Sequence, residues 1–266
     1  MKIIYDIREL KGGYGGKEVI KGISFQIYQQ DFLGIIGPNG SGKSTLLKLL
    51  TKVLVPMGGK VYFESKDLLD IHLKEFCQKV AFVGQETIIN FSFKVKEIVL
   101  MGRIPHLKRF RQETKKDFSI LEMALNLTDT FGIRERGIDE LSSGERQRVF
   151  IAKALAQQPK VLFLDEPTAH LDIGHQIRIL ELLKKLNEDE GLTIIVVFHD
   201  LNLASEYCNR LILFNEGYVV KWGNPSEVLT YKNLEEVYKT ALLVKENPLS
   251  KKPFVILLSK KQCEEK

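Results

Sequence analysis

The sequence predicts an α/β fold: a mainly parallel sheet, an N-terminal antiparallel β subdomain and an inserted α-helical subdomain. Three observations carry this prediction. Short apolar runs, VAFVG at 80–84, VLFLDE at 161–166 and TIIVVFHD at 193–200, read as buried parallel strands, with helical patterns among them. The first thirty residues instead alternate in strand fashion around a Gly-rich turn. Residues 86–159 carry helical spacing in VKEIVLMGR, KKDFSILEMALNL and GERQRVFIAKALAQ, with no strand pattern among them.

The elements follow in order. KIIYDIREL and VIKGISFQIY flank KGGYGGKE, which predicts an antiparallel hairpin. DFLGIIG reads as a buried strand, TLLKLLTKVL as a helix, and PMGGKVYF as a turn followed by a strand. Beyond the helical stretch, LILFNEGYVVKW forms a hairpin around Asn215, Glu216 and Gly217. NPSEVLT and NLEEVYKTALL read as helices, PFVILLS as a late strand, and KKQCEEK as a frayed tail. The expected division is a core of residues 1–85 and 160–266 with a helical subdomain at 86–159.

Composition limits what such a fold can be. The 266 residues are 44% hydrophobic, enough for a large core. No apolar run is long enough to span a bilayer, and MKIIYDIREL lacks the form of a secretory leader. Cys77, Cys208 and Cys263 show no metal spacing and read as thiols of a reducing, cytoplasmic compartment. A net charge of +5 permits an anionic partner without demanding one. Part of it is local, in Lys94, Lys96, Arg103, Lys108, Arg109, Arg111, Lys115 and Lys116. Such a run is most often a solvated face.

The chemistry begins at GPNGSGKST, residues Gly37, Pro38, Asn39, Gly40, Ser41, Gly42, Lys43, Ser44 and Thr45, which fits G-x-x-x-x-G-K-[ST] between a strand and a helix. The glycines let backbone N–H groups surround phosphate oxygens. Lys43 reaches the terminal phosphates, the Ser44 hydroxyl ligates Mg²⁺, and the helix N-terminus adds its positive dipole end. The pattern arises by accident in roughly one chain in a hundred of this length, and the strand–loop–helix setting lowers that further. The core is therefore that of a phosphate-loop NTPase. VLFLDE complements it: Asp165 can hold the Mg²⁺ shell, and Glu166 can orient and deprotonate a water. Acids at a strand end usually just face water; beside a phosphate loop the catalytic reading prevails. His199 ends the next buried strand and should emerge at the same sheet edge, within reach of a γ-phosphate.

A second phosphate-facing stretch, LSSGE at 141–145, opens an amphipathic helix. GPNGSGKST, LSSGE, VLFLDEPTAHLD and VVFHD, in that order, resemble the nucleotide-binding subunit of an ATP-binding cassette transporter. The resemblance runs from about residue 14 to residue 230. It implies that Tyr14 stacks on adenine and that Gln85 is the lobe-hinge glutamine sensing Mg²⁺ and the transporter. Asp172 then lies in the loop crossing between subunits, and His199 is the switch histidine. It also implies a head-to-tail homodimer in which Ser142, Ser143, Gly144 and Glu145 meet the γ-phosphate of ATP held by the partner. The common form is LSGGQ; here Ser143 replaces a glycine and Glu145 a glutamine, tolerable if Ser143 keeps φ below zero.

Within that family, LMGRIPHLKRF, DEPTAHLDIGHQ and NPSEVLT resemble importers of ferric siderophores, haem and cobalamin. MGRIPH also reads as an ordinary helix stop at Pro105. The resemblance implies integral-membrane permease subunits docked on the helical subdomain, an extracytoplasmic substrate-binding protein, and a peripheral place on the cytoplasmic membrane face. The basic run would then approach the anionic leaflet. The competing reading is a soluble cassette ATPase of iron–sulfur cluster assembly. A nucleic-acid machine is disfavoured, since the chain has no coiled-coil insertion or second cassette and the basic run carries only Phe110 as an aromatic. LSSGE and His199 speak against a GTPase.

Overall fold

The computed structural model describes residues 2–85, 92–108 and 112–258. Arg109, Phe110 and Arg111 of the basic run, Cys263 and the tail KKQCEEK lie outside the described residues. The chain forms two compact units, Met1–Leu69 with Ile195–Lys266, and Asp70–Ile194.

The first unit opens with β1 (Ile3–Tyr14) and β2 (Lys17–Tyr28), an antiparallel pair longer than expected. The turn contracts to Gly15–Gly16, because Lys11–Tyr14 stay in the ladder opposite β2. β3 (Phe32–Ile36) is buried at every position. α1 (Lys43–Leu50) ends four residues short of the expected Leu54, with Thr51 as its C-cap and Lys52 turning to φ 59°. β4 (Gly58–Phe63) and β5 (Lys66–Asp67) complete a four-stranded antiparallel sheet ordered β2-β1-β4-β5. Tyr5 anchors that sheet to α1: its ring packs 4.9 Å from Phe63 and its hydroxyl donates to the Leu50 carbonyl.

The second unit begins with α2 (Leu73–Cys77), which the sequence reading missed, and β6 (Val80–Val83). α3 (Val95–Leu100), α4 (Lys115–Leu127) and α5 (Ser143–Ala156) follow, with no strand among the described residues between them. β7 (Val161–Asp165) pairs parallel with β6, and α6 (Ile173–Glu190) is closed by Gly191 in the left-handed conformation. The basic run is not uniform here. Lys94 and Lys96 both pair with Glu135, while Arg103 is buried against Asp117 and the Ala156 carbonyl.

β8 (Thr193–Val197) carries the chain from the second unit back to the first, where α7 (Leu201–Tyr207), β9 (Arg210–Asn215) and β10 (Tyr218–Gly223) follow. β9 lies parallel to β3 and antiparallel to β10, and Phe198 donates its N–H to the Ile35 carbonyl. α8 (Pro225–Val228) and α9 (Tyr231–Tyr238) precede a hairpin of β11 (Leu242–Glu246) and β12 (Pro253–Leu257). NLEEVYKTALL was expected as one helix. It splits because Lys239 adopts φ 50°, and the last leucines join β11.

Candidate functional site

In the first unit β3 delivers the chain into residues 37–45. Gly37 leaves the strand where an added Cβ would stand 2.1 Å from the Phe214 carbonyl oxygen, so no side chain fits. Gly42, at φ 110°, turns the chain into α1 as its N-cap, a conformation that side chains resist. Lys43 is buried and folds back, donating to the carbonyls of Gly37 and Pro38 at 2.8 Å each. The Ser41 hydroxyl is buried and has no hydrogen-bond partner among the described residues. Buried hydroxyls are normally satisfied, so an orphan in this loop fits a site built for an oxyanion. Tyr14 stands exposed at the end of β1, with the Lys48 ammonium 5.7 Å from its ring centre.

His199 follows the strand end at which Phe198 is bonded to Ile35, so it leaves the sheet at the same edge as Gly37. It is exposed, and Asp200 beside it caps α7 by accepting from the N–H groups of Asn202 and Leu203 at 2.7 and 3.0 Å.

In the second unit β7 ends in Asp165, which is buried, and Glu166. Glu166 has φ 53°, a left-handed backbone that a non-glycine residue adopts only when its surroundings impose it. Gln85, two residues past the end of β6, donates its amide nitrogen to Glu166 Oε2 at 2.6 Å. The structure thus brings together the hinge glutamine and the candidate base, which are 81 residues apart in sequence.

LSSGE begins α5. Ser142 is the N-cap, and its hydroxyl accepts from the Glu145 N–H at 3.3 Å. Glu145 reaches back to accept from the Ser142 N–H at 2.9 Å and the Ser142 hydroxyl at 2.8 Å. This is a reciprocal capping box, which glutamate or glutamine can close; what glutamate adds is its charge. These bonds from Ser142, with Arg136 nearby, hold the Glu145 carboxyl below its ordinary value. Ser143 is not among the residues of positive φ, so its extra Cβ carries no backbone strain. Asp172 caps α6: its carboxylate accepts from the His175 N–H at 2.9 Å and lies 2.6 Å from His175 Nδ1. Those bonds lower its carboxyl in turn. His175 was missed by the sequence reading; an Asp followed three residues later by a side chain able to reach back was its only signal.

The first unit therefore gathers Tyr14, the loop 37–45 and His199. The second gathers Gln85, Asp165, Glu166, the start of α5 and Asp172. A strand–loop–helix phosphate cradle with strand-end acids and an Ser-capped second helix defines an ATP-binding cassette. The chain belongs to the ABC transporter family, whose model matches residues 20–169. It is 42% identical over 95% of its length to the uncharacterized ABC transporter ATP-binding protein YvrA of Bacillus subtilis, of which it spans 57%. It is 36% identical over 95% of its length to the ferric enterobactin transport ATP-binding protein FepC of Escherichia coli, spanning 93% of that protein. Among solved structures it is similar to a chain of an ABC transporter assigned to the metal-chelate type, in an inward-facing conformation. There the TM-score is 0.86 at 28% identity, covering 98% of this chain and 99% of that one.

Proposed function

We propose that the chain is the ATP-hydrolysing subunit of a membrane importer, working as a head-to-tail homodimer docked on permease subunits. The observation that carries this reading is a Ser-capped helix start, at α5, in a chain that already has a complete phosphate loop and helix start at 37–45. A helix N-terminus attracts anions, and two such elements in one chain make sense if each completes a site with the other subunit. Similarity to FepC and to a metal-chelate type transporter supports a ferric siderophore, haem or cobalamin as cargo. Among the described residues no helix is long and apolar enough to cross a membrane, so the pathway would belong to the permease.

In this reading the backbone of 37–45 and Lys43 bind the phosphates, and Tyr14 takes the adenine. Ser44, Asp165 and Gln85 are all hard oxygen donors, as Mg²⁺ requires, and Gln85 uses its amide nitrogen on Glu166, leaving its oxygen for the ion. Mg²⁺, when bound, supplies charge neutralisation at the phosphates. Glu166 takes the proton of the attacking water, His199 holds the γ-phosphate end, and Asp172 links the two sites. Loss of the γ-phosphate removes the anion between the halves, and the dimer opens.

The test is a tagged Glu166→Gln variant incubated with ATP and Mg²⁺ in detergent-solubilised native membranes. Its turnover is expected to fall by about 10²–10⁴, and a many-helix membrane protein is expected in the eluate. Recovery of soluble scaffold proteins alone would instead support the cluster-assembly ATPase. Lys43→Ala, the control, is expected to lose ATP affinity.

A further inference from the structure

Asp172 and Gly144 lie on different elements of the second unit, and one side chain touches both. His175 stands one turn into α6. Its backbone N–H and its Nδ1 engage the two oxygens of the Asp172 carboxylate, at 2.9 and 2.6 Å. The opposite edge of the same ring covers Gly144. A Cβ added at Gly144 would stand 2.3 Å from His175 Cδ2 and 3.0 Å from Nε2. The ring is fixed on two sides, with 29% of the side chain exposed against 70% for Asp172. An ordinary capping partner needs only the Asp172 contact. Seating the ring on the second residue of α5 is an additional constraint, because it sets how far the turn 141–145 can move relative to the loop before α6.

We infer that His175 is a positioning residue that locks the Asp172 loop to the start of α5, so that the two elements one subunit offers to its partner's nucleotide move as a single piece. This rests on the head-to-tail reading above and adds to it a means of keeping both contacts in register. Phosphoryl transfer is sensitive to placement on the ångström scale, and two independently mobile contacts would reach that register less often than one. The lock also accounts for glycine at 144, where any side chain would displace the ring.

Two variants separate the halves of the lock. His175→Ala removes the Nδ1 contact to Asp172 and the ring over Gly144, leaving only the backbone N–H bond to Asp172. His175→Asn keeps a nitrogen donor where Nδ1 stands, but replaces Cδ2 with a polar amide oxygen and removes the outer ring atoms, Nε2 among them, that cover Gly144. Backbone amide exchange is measured on the nucleotide-free chain, with ATP affinity and hydrolysis measured on the same samples. In His175→Ala, exchange is expected to quicken at 172–176 and at 143–147; in His175→Asn, at 143–147 only. Both variants are expected to lose about tenfold in kcat, as misplaced groups do, while ATP affinity stays within about twofold, since Lys43 and its loop are untouched. Full turnover in His175→Asn, or unchanged exchange at 143–147 in either variant, overturns the proposal. If His175→Ala fails to fold, His175→Asn decides alone. The head-to-tail reading is judged separately, by whether Glu166→Gln dimerises with ATP. Exchange that behaves as expected in a chain that never dimerises leaves the lock standing and removes the dimer.

Discussion

At the scale of single residues, Glu166 pairs a demanding side-chain role with an unfavourable backbone. Its φ of 53° costs about 1–2 kcal/mol for an ordinary side chain. Glycine accepts that conformation freely, and a β-branched residue tolerates it worst. Glu166→Gly is therefore expected to be at least as stable as the natural chain in thermal unfolding, and Glu166→Val clearly less stable, with both lacking hydrolysis. A Glu166→Gly chain that melts well below the natural one would show that the bond from Gln85 outweighs the backbone strain. The candidate residues themselves were legible in the sequence, because each sits in a motif whose spacing is set by one loop or one strand end. Their pairings were legible only in part. Gln85 meets Glu166 only because β6 and β7 are adjacent, and Glu145 serves as a cap only because Ser142 takes extended backbone angles. The first does not follow from residue order, whereas the second is the S-x-x-E pattern of a capping box.

Among the elements, MGRIPH shows what a local motif can hide. The stop reading was partly right, since α3 ends at Leu100, ahead of Pro105. The segment then continues as a 3-10 helix, Met101–His106. Arg103 within it is buried, donating to Asp117 at 2.9 Å, the Ala156 carbonyl at 2.7 Å and Gln158 at 3.2 Å. Removing one partner of a buried pair strands the other, so Arg103→Ala is expected to cost about 3–5 kcal/mol in denaturant unfolding. The Asp117 carboxyl is lowered to about 2, chiefly by hydrogen bonds from Thr114 and further by Arg103. Its contribution is whole above the ordinary carboxylate value of about 3.9 and is lost as pH falls through the folded value. Asp117→Asn should therefore lose less melting temperature than the natural chain between about pH 4 and pH 2. Element type was readable wherever apolar spacing ran long, as in α4, whose bounds match the expected segment. It failed for α2, which is only five residues long, and at Lys239, where a single left-handed residue ended a helix whose apolar spacing continued.

For the whole molecule, surface charge has to be read after folding. With Lys94 and Lys96 paired to Glu135 and Arg103 inside, the described cations of the run left exposed include Lys108, Lys115 and Lys116. If this face approaches an anionic leaflet, reversing these three charges should weaken binding to anionic vesicles by about 1 kcal/mol each, with ATP affinity unchanged. Substitutions at Lys94 and Lys96 should matter less. Equal binding by the triple variant would remove this face from the membrane. The order of strands and helices was legible because buried parallel strands and amphipathic helices differ in period. The C-terminal hairpin β11–β12 was legible only in its second strand. It lines one side of an open cleft of about 390 Å³, whose other lining residues include His199 and Tyr238.

The capping box at α5 implies a competition. The Ser142 hydroxyl has one hydrogen, and it is already donated to Glu145 Oε2. An incoming phosphate that recruits this hydroxyl must displace an acceptor carrying the same sign of charge, so assembly is an exchange of anions rather than a simple gain of a bond. The carboxylate acts as a built-in mimic of the group it gives way to. Glu145→Gln should relax that exchange by replacing the anion with a neutral acceptor. The ATP concentration for half-maximal dimer formation, measured in a Glu166→Gln background, is expected to fall by about threefold to tenfold, the range of roughly 1 kcal/mol for a modest hydrogen-bond difference. The natural glutamate would then set a threshold, keeping the cassette from committing while nucleotide is scarce.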